Sequence, residues 1–326
     1  MEEILSSEEK NLIIDLTDNN PNTNFRELLS KSTGIRLLVL FGSMVIFLII
    51  CSLISEFISG LSFGSQTGKT LFTYALQGIL VFCVPSYLLA KFCSKTPFKW
   101  LSLNRMPDFK QIIGVILIFF ISMPAMEALI EWNKNISFPE SLKNLETIFR
   151  QWEDNAEMAT SHLMKMTNIY QLIVSILVVG IITGFSEEAF FRGSFQKIVL
   201  DSGVGSTLAI IIAAFLFSVM HFQFFGFVPR LLMGLFFGYL LYWSKSLWLP
   251  VFAHALNNSM VFISAFFLGD NVNIEKDTII PESPYLAISS FILTLLFFFF
   301  FRNYFFKENN THRKWQKNQL PQNTEI

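Results

Sequence analysis

Residues 169–192 read IYQLIVSILVVGIITGFSEEAFFR, and this stretch decides the fold class. No charge occurs in it before Glu187. As a helix it is long enough to cross a hydrocarbon core of about 30 Å. Lipid cannot hydrogen-bond an open backbone, so a spanning segment of this kind must be helical. Late in the run come Glu187, Glu188 and Arg192. An ionisable side chain at that depth costs at least about 2.5–3.5 kcal/mol on insertion scales, which makes it a candidate for function.

Comparable apolar runs lie on either side, at about 36–58, 71–92, 110–131, 206–226, 227–243, 247–268 and 284–305. The pattern predicts an all-α polytopic membrane helix bundle of about eight transmembrane helices, with seven and a half-span as the rival count. Composition agrees: 52% of residues are hydrophobic and 15% charged, and the mean hydropathy is +0.49. Average soluble domains carry about 25% charged residues. A soluble globule could not be covered by so few polar side chains, and disorder requires the opposite balance. With 24 basic and 25 acidic residues, the net charge of −1 offers nucleic acid no electrostatic footing. Cys51, Cys83 and Cys93 sit in or beside apolar runs and read as small buried hydrophobes, not as a disulfide framework or a zinc motif.

Four regions follow from these runs. Residues 1–34 form a polar tail without the pattern of a secretory signal. Residues 35–168 hold three membrane helices and a loop helix, 169–268 a polar-containing membrane core, and 269–326 the last helix and a basic tail. Lys and Arg concentrate in both tails and in the second connection, which by the positive-inside rule puts both termini of this multi-pass protein in the cytoplasm. Glu140–Lys165 contains no Pro or Gly and is expected as a surface helix on the outer side, with His162 solvated. Gly180/Gly184 and Gly234/Gly238 have the four-residue spacing of close helix packing. The Phe297–Phe301 run reads as lipid-facing.

Intramembrane polar groups concentrate in four places: Gly184–Gly193, Phe217–His221, His254–Ser259, and Glu127 with Glu131. Residues four apart share a helix face and neighbours diverge by about 100°. Glu188 and Arg192 therefore form a supporting ion pair. Glu187 points elsewhere without a local cation, as a general base or a metal site would require. His221 and His254 are the two histidines expected within spans. His254 and Asn258 share a face and could both donate to an oxyanion. Asn257 is turned away to cap or pack. No zincin helix, nucleophile elbow or phosphate loop occurs.

At these residues the sequence resembles the CPBP intramembrane protease family, which includes CaaX prenyl endopeptidases and bacteriocin-processing or self-immunity proteins. Its signatures, Glu-Glu-x-x-x-Arg, Phe-x-x-x-His and His-x-x-x-Asn, appear in order as Glu187-Glu188…Arg192, Phe217…His221 and His254…Asn258. The resemblance covers about 170–262. It implies an intramembrane endopeptidase in which Glu187 and His221 activate water while His254 and Asn258 stabilise the oxyanion. It leaves Glu188 and Arg192 as supporting residues. The reading favours no cofactor; the alternative is zinc held by Glu187, His221 and His254. The partners are membrane lipid and a peptide or lipidated-protein substrate, with nucleic acid excluded. A non-catalytic immunity or scaffold protein and a proton-coupled transporter are the rival readings. One tension arises from threading, which places Glu187 and His221 at different depths unless the fourth helix reaches about 198 and the fifth shifts to about 208–228.

Overall fold

The computed structural model describes residues 29, 32–60, 65–268 and 283–308. Among them the chain is helical throughout: α1 Thr33–Ser59, α2 Gln66–Cys93, α3 Phe109–Lys134, α4 Lys143–Met164, α5 Ile169–Asp201, α6 Ser206–Val219, α7 Phe227–Ser244, α8 Trp248–Leu268 and α9 Pro284–Glu308. All but α4 and α6 are long and apolar enough to cross a membrane. The result is a polytopic helix bundle, an integral multi-pass membrane protein. Its outward surface is apolar, with Phe57, Tyr285 and Phe300 exposed, while Glu188 and Arg192 are completely buried. That inversion is what a lipid solvent selects. His312 and the basic carboxyl tail lie outside the described residues, as does most of the polar amino-terminal tail.

Side chains define where helices start. Ser32, Ser65 and Asn168 each accept a hydrogen bond from a backbone N–H in the first turn of α1, α2 and α5, satisfying donors that lipid would leave bare. Asp108 and Gln111 form a reciprocal capping box at α3. Pro124 interrupts α3, and the Ser290 hydroxyl of α9 enters the gap, donating to Ile121 O at 2.6 Å and accepting from Ala125 N at 3.2 Å. An inserted hydroxyl of this kind re-satisfies the backbone beside a membrane proline. It also ties α9 to α3. The Phe297–Phe301 run is therefore only partly lipid-facing: Phe299 and Phe300 are exposed, but Phe301 is buried against Gly114 of α3.

The fifth apolar run was expected to extend to about 226. Instead α6 stops at Val219, a 14-residue helix spanning about 21 Å. The chain turns at 220–223, with Phe222 in the left-handed region at φ 54°, and re-enters through Phe224–Gly226 into α7. His221 thus lies in a turn past a short helix rather than inside a span. The depth tension is resolved by α5, which continues to Asp201 instead of ending near 192. Counting about 1.5 Å per residue from the tight 202–205 connection, Glu187 on α5 and His221 after α6 lie at similar heights, about 21–23 Å away.

The glycine pairs seat the core helices. A Cβ on Gly184 would stand 3.3 Å from Ala255 N, bringing α5 against α8, and Gly180 faces Ser259 and Ala255 of the same helix. On α7, a Cβ at Gly234 would come within 3.0 Å of Ala214 on α6. We expect Gly234→Val to force α6 and α7 apart, lowering stability by about 1–3 kcal/mol, as overpacking typically does. Unfolding of the purified protein in mixed micelles would measure it.

Candidate active site

Two wide π-helical segments, Ile176–Thr183 and Ala189–Gln196, flank the short α-helical turn Gly184–Glu188 within α5. Such widenings recur at functional sites. Glu188 points into the protein and Glu187 into a cavity, as the sequence predicts for neighbours on a helix. Glu188 Oε1 accepts from Arg192 Nη1 at 2.7 Å, with both side chains fully buried. The guanidinium also donates through Nη2 to Gly234 O at 3.2 Å and lies 4.4 Å over the Phe217 ring.

The same carboxylate oxygen meets His254 Nδ1 at 2.9 Å, a contact the sequence did not disclose. An ionised carboxylate only accepts, so Nδ1 carries the proton. His254 is further fixed by stacking on Phe237 at 5.1 Å, which aims Nε2 at Glu187, 3.8 Å from Oε2. Glu187 Oε2 is itself buried and accepts no hydrogen bond among the described residues. His221 Nδ1 lies 2.8 Å from Phe217 O. A carbonyl also only accepts, so Nδ1 is again the donor, and a neutral His221 has Nε2 as a free acceptor. Asn258 Nδ2 donates to Val179 O at 3.2 Å, while its Oδ1 accepts from Asn257 Nδ2 at 3.3 Å. One amide N–H of Asn258 remains, and Asn257 holds its neighbour's amide in place.

Glu187, His221, His254 and Asn258 line one cavity of about 320 Å³, the lower end of ordinary ligand sites. The opposing wall comes from chain outside the three motifs: Tyr74, Gln77 and Phe82 of α2, and Thr160, Leu163 and Met164 of α4. Neither source was legible beforehand, although an amide inside an apolar run, Gln77, was a signal. Far from floating free, α4 is docked: His162, expected to be solvated, is half-buried with Nε2 2.9 Å from Thr70 Oγ1. Glu127 and Glu131 do not line this cavity. Nor are three His, Cys, Asp or Glu side chains gathered as a metal site would require among the described residues.

Residues 169–260 match the family model described as type II CAAX prenyl endopeptidase Rce1-like. No curated protein and no solved structure gave a match. The matched segment runs from the start of α5 into α8 and includes all three motifs. It supports the CPBP and CAAX protease family, and with it a membrane protease of the CAAX type.

Proposed function

Taking the CAAX-type protease family as premise, we propose that this chain is an intramembrane endopeptidase whose hydrolytic water is activated by Glu187 and His221. The observation that carries the reading is the buried Glu187 oxygen without a hydrogen bond, facing the cavity beside His254. Water bound there gives one proton to Glu187, while its other hydrogen is held by His221 Nε2. The resulting hydroxide adds to the peptide carbonyl. Collapse of the tetrahedral intermediate expels the amine, which takes the proton back from Glu187. Asn258 donates its remaining amide N–H to the oxyanion. At the oxyanion His254 acts through Nε2 and donates there only in its doubly protonated form, because the single proton of a neutral His254 is committed to Glu188.

In this reading both termini are cytoplasmic, α4 lies on the opposite side, and the substrate is a membrane-associated peptide, with lipidated proteins as the class favoured by the family. The test compares new amino and carboxyl termini of membrane proteins in cells with wild-type chain and with Glu187→Ala. It also assays, on the reconstituted protein, a peptide that ends in farnesylated Cys followed by three further residues. Identical termini and no hydrolysis would leave the scaffold reading.

The proposal is metal-free. His254→Asn should retain turnover reduced about 10²–10³-fold, the usual loss of one oxyanion donor. Stoichiometric zinc by elemental analysis, with activity lost on chelation and restored by zinc, would overturn this part.

A further inference from the structure

The turn that carries His221 is held from within by Arg230, which donates to Gln223 Oε1 and O, and by Ser218, which donates to Phe227 O; its remaining holds come from residues that precede the matched segment 169–260. Glu153, on the docked helix α4, accepts from Phe225 N at 3.2 Å through Oε2. Asn133, buried at the end of α3, grips the same turn from the other side: its Nδ2 donates to Phe224 O at 3.3 Å and its Oδ1 accepts from Val228 N at 2.9 Å. Phe149 of α4 stacks on Phe224 at 5.2 Å, and the Arg150 guanidinium sits 3.6 Å over the Phe225 ring. Arg150 also donates to Lys134 O and Ile136 O, fastening α4 to the end of α3.

These contacts have mechanical significance because α6 is short. A full-length span would fix His221 by its own helical hydrogen bonds. Here the helix ends at Val219, and Phe222 adopts a left-handed conformation that a bulky residue avoids unless its surroundings impose it. The side-chain bond from His221 to Phe217 O sets the ring's tautomer, whereas the following turn sets where the backbone of 221 sits.

We propose that Glu153 and Asn133 are positioning residues for His221, so that α4 and the end of α3 together serve as the template of the catalytic turn, α4 being also a wall of the cavity. The inference rests on the protease reading for its consequence in catalysis, but the placement of His221 is measurable without activity. In the full chain reconstituted in liposomes, the rate of His221 modification by diethyl pyrocarbonate is followed by peptide mass spectrometry. Glu153→Ala is expected to raise it about tenfold, the shift that losing one hydrogen bond to a charged group brings. Glu153→Gln keeps an acceptor for Phe225 N and should stay within twofold of wild type by the same reasoning. Asn133→Ala releases the turn from its other side and provides the test should Glu153→Ala fail to fold; it should also raise the rate.

On the farnesylated peptide, Glu153→Ala should lower kcat about 10²-fold, as small misplacements do, with KM little changed. Combined with His221→Ala, it should add almost nothing, because both changes remove the same contribution. A wild-type modification rate in Glu153→Ala and Asn133→Ala, or full multiplicativity with His221→Ala, overturns the proposal. A wild type that cleaves nothing overturns the protease reading instead, while the His221 rates decide the positioning independently.

Discussion

Glu187→Gln is expected to eliminate hydrolysis, lowering turnover about 10²–10⁴-fold, the usual contribution of a general acid–base group. The amide preserves size and shape but cannot take a proton from water. The folded state should not suffer. Glu187 Oε2 makes no hydrogen bond among the described residues, and its 3.8 Å separation from His254 Nε2 is too long for one. Replacing a buried carboxylate oxygen that accepts no hydrogen bond among the described residues with a neutral amide should leave the unfolding midpoint equal or raise it. Such a stability–activity trade-off marks a site held for chemistry. Both quantities can be read from one preparation, by peptide turnover and by thermal unfolding in detergent. Wild-type turnover in Glu187→Gln would remove this carboxylate from the mechanism.

Glu188→Gln should act in the opposite order, on folding first. Glu188 Oε1 serves both Arg192 and His254, and neither Glu188 nor Arg192 has contact with solvent. Removing one charge of a buried pair strands the other, at a typical cost of about 3–5 kcal/mol. Among the described residues the remaining oxygen of Glu188 and the Nε of Arg192 lack partners even in the intact network, so there is little spare hydrogen bonding to absorb the loss. What protein does fold should also turn over poorly, because the carboxylate that fixes the proton on His254 Nδ1 is gone. Denaturant-midpoint measurements on the purified variant, with specific activity per folded molecule, separate the two effects. Unchanged stability would remove the ion pair from the support of the fold. Unchanged specific activity would detach Glu188 from the orientation of His254.

This double duty shows where local reading stopped. The Glu188–Arg192 pair is four residues apart on one helix, so periodicity alone located it. The Glu188–His254 contact joins helices 66 residues apart in sequence, and no local period encodes it. Spacing on α8 placed His254 and Asn258 together, yet gave His254 a free donor that the structure commits to Glu188. Where the turn after α6 began was equally hidden, since residues 206–226 are apolar enough to continue a helix.

The sequence by itself determined the solvent of this protein, its class of fold, and the side chains able to do chemistry. Those follow from transfer free energies: long apolar runs must be helices in lipid, and Glu187, Glu188, Arg192, His221 and His254 are expensive enough there to stand out. Tertiary structure alone decided how they meet. It carried α5 on to Asp201 so that Glu187 stands level with His221, lined the far side of the cavity with α2 and α4, and laid α4 against the His221 turn. Each of those outcomes depends on packing between segments distant in the chain, through the close approach at Gly184 and Gly234 and the hydrogen bonds of Asn133 and Glu153. Such contacts are set by shape complementarity in three dimensions, which hydropathy and helical period do not record.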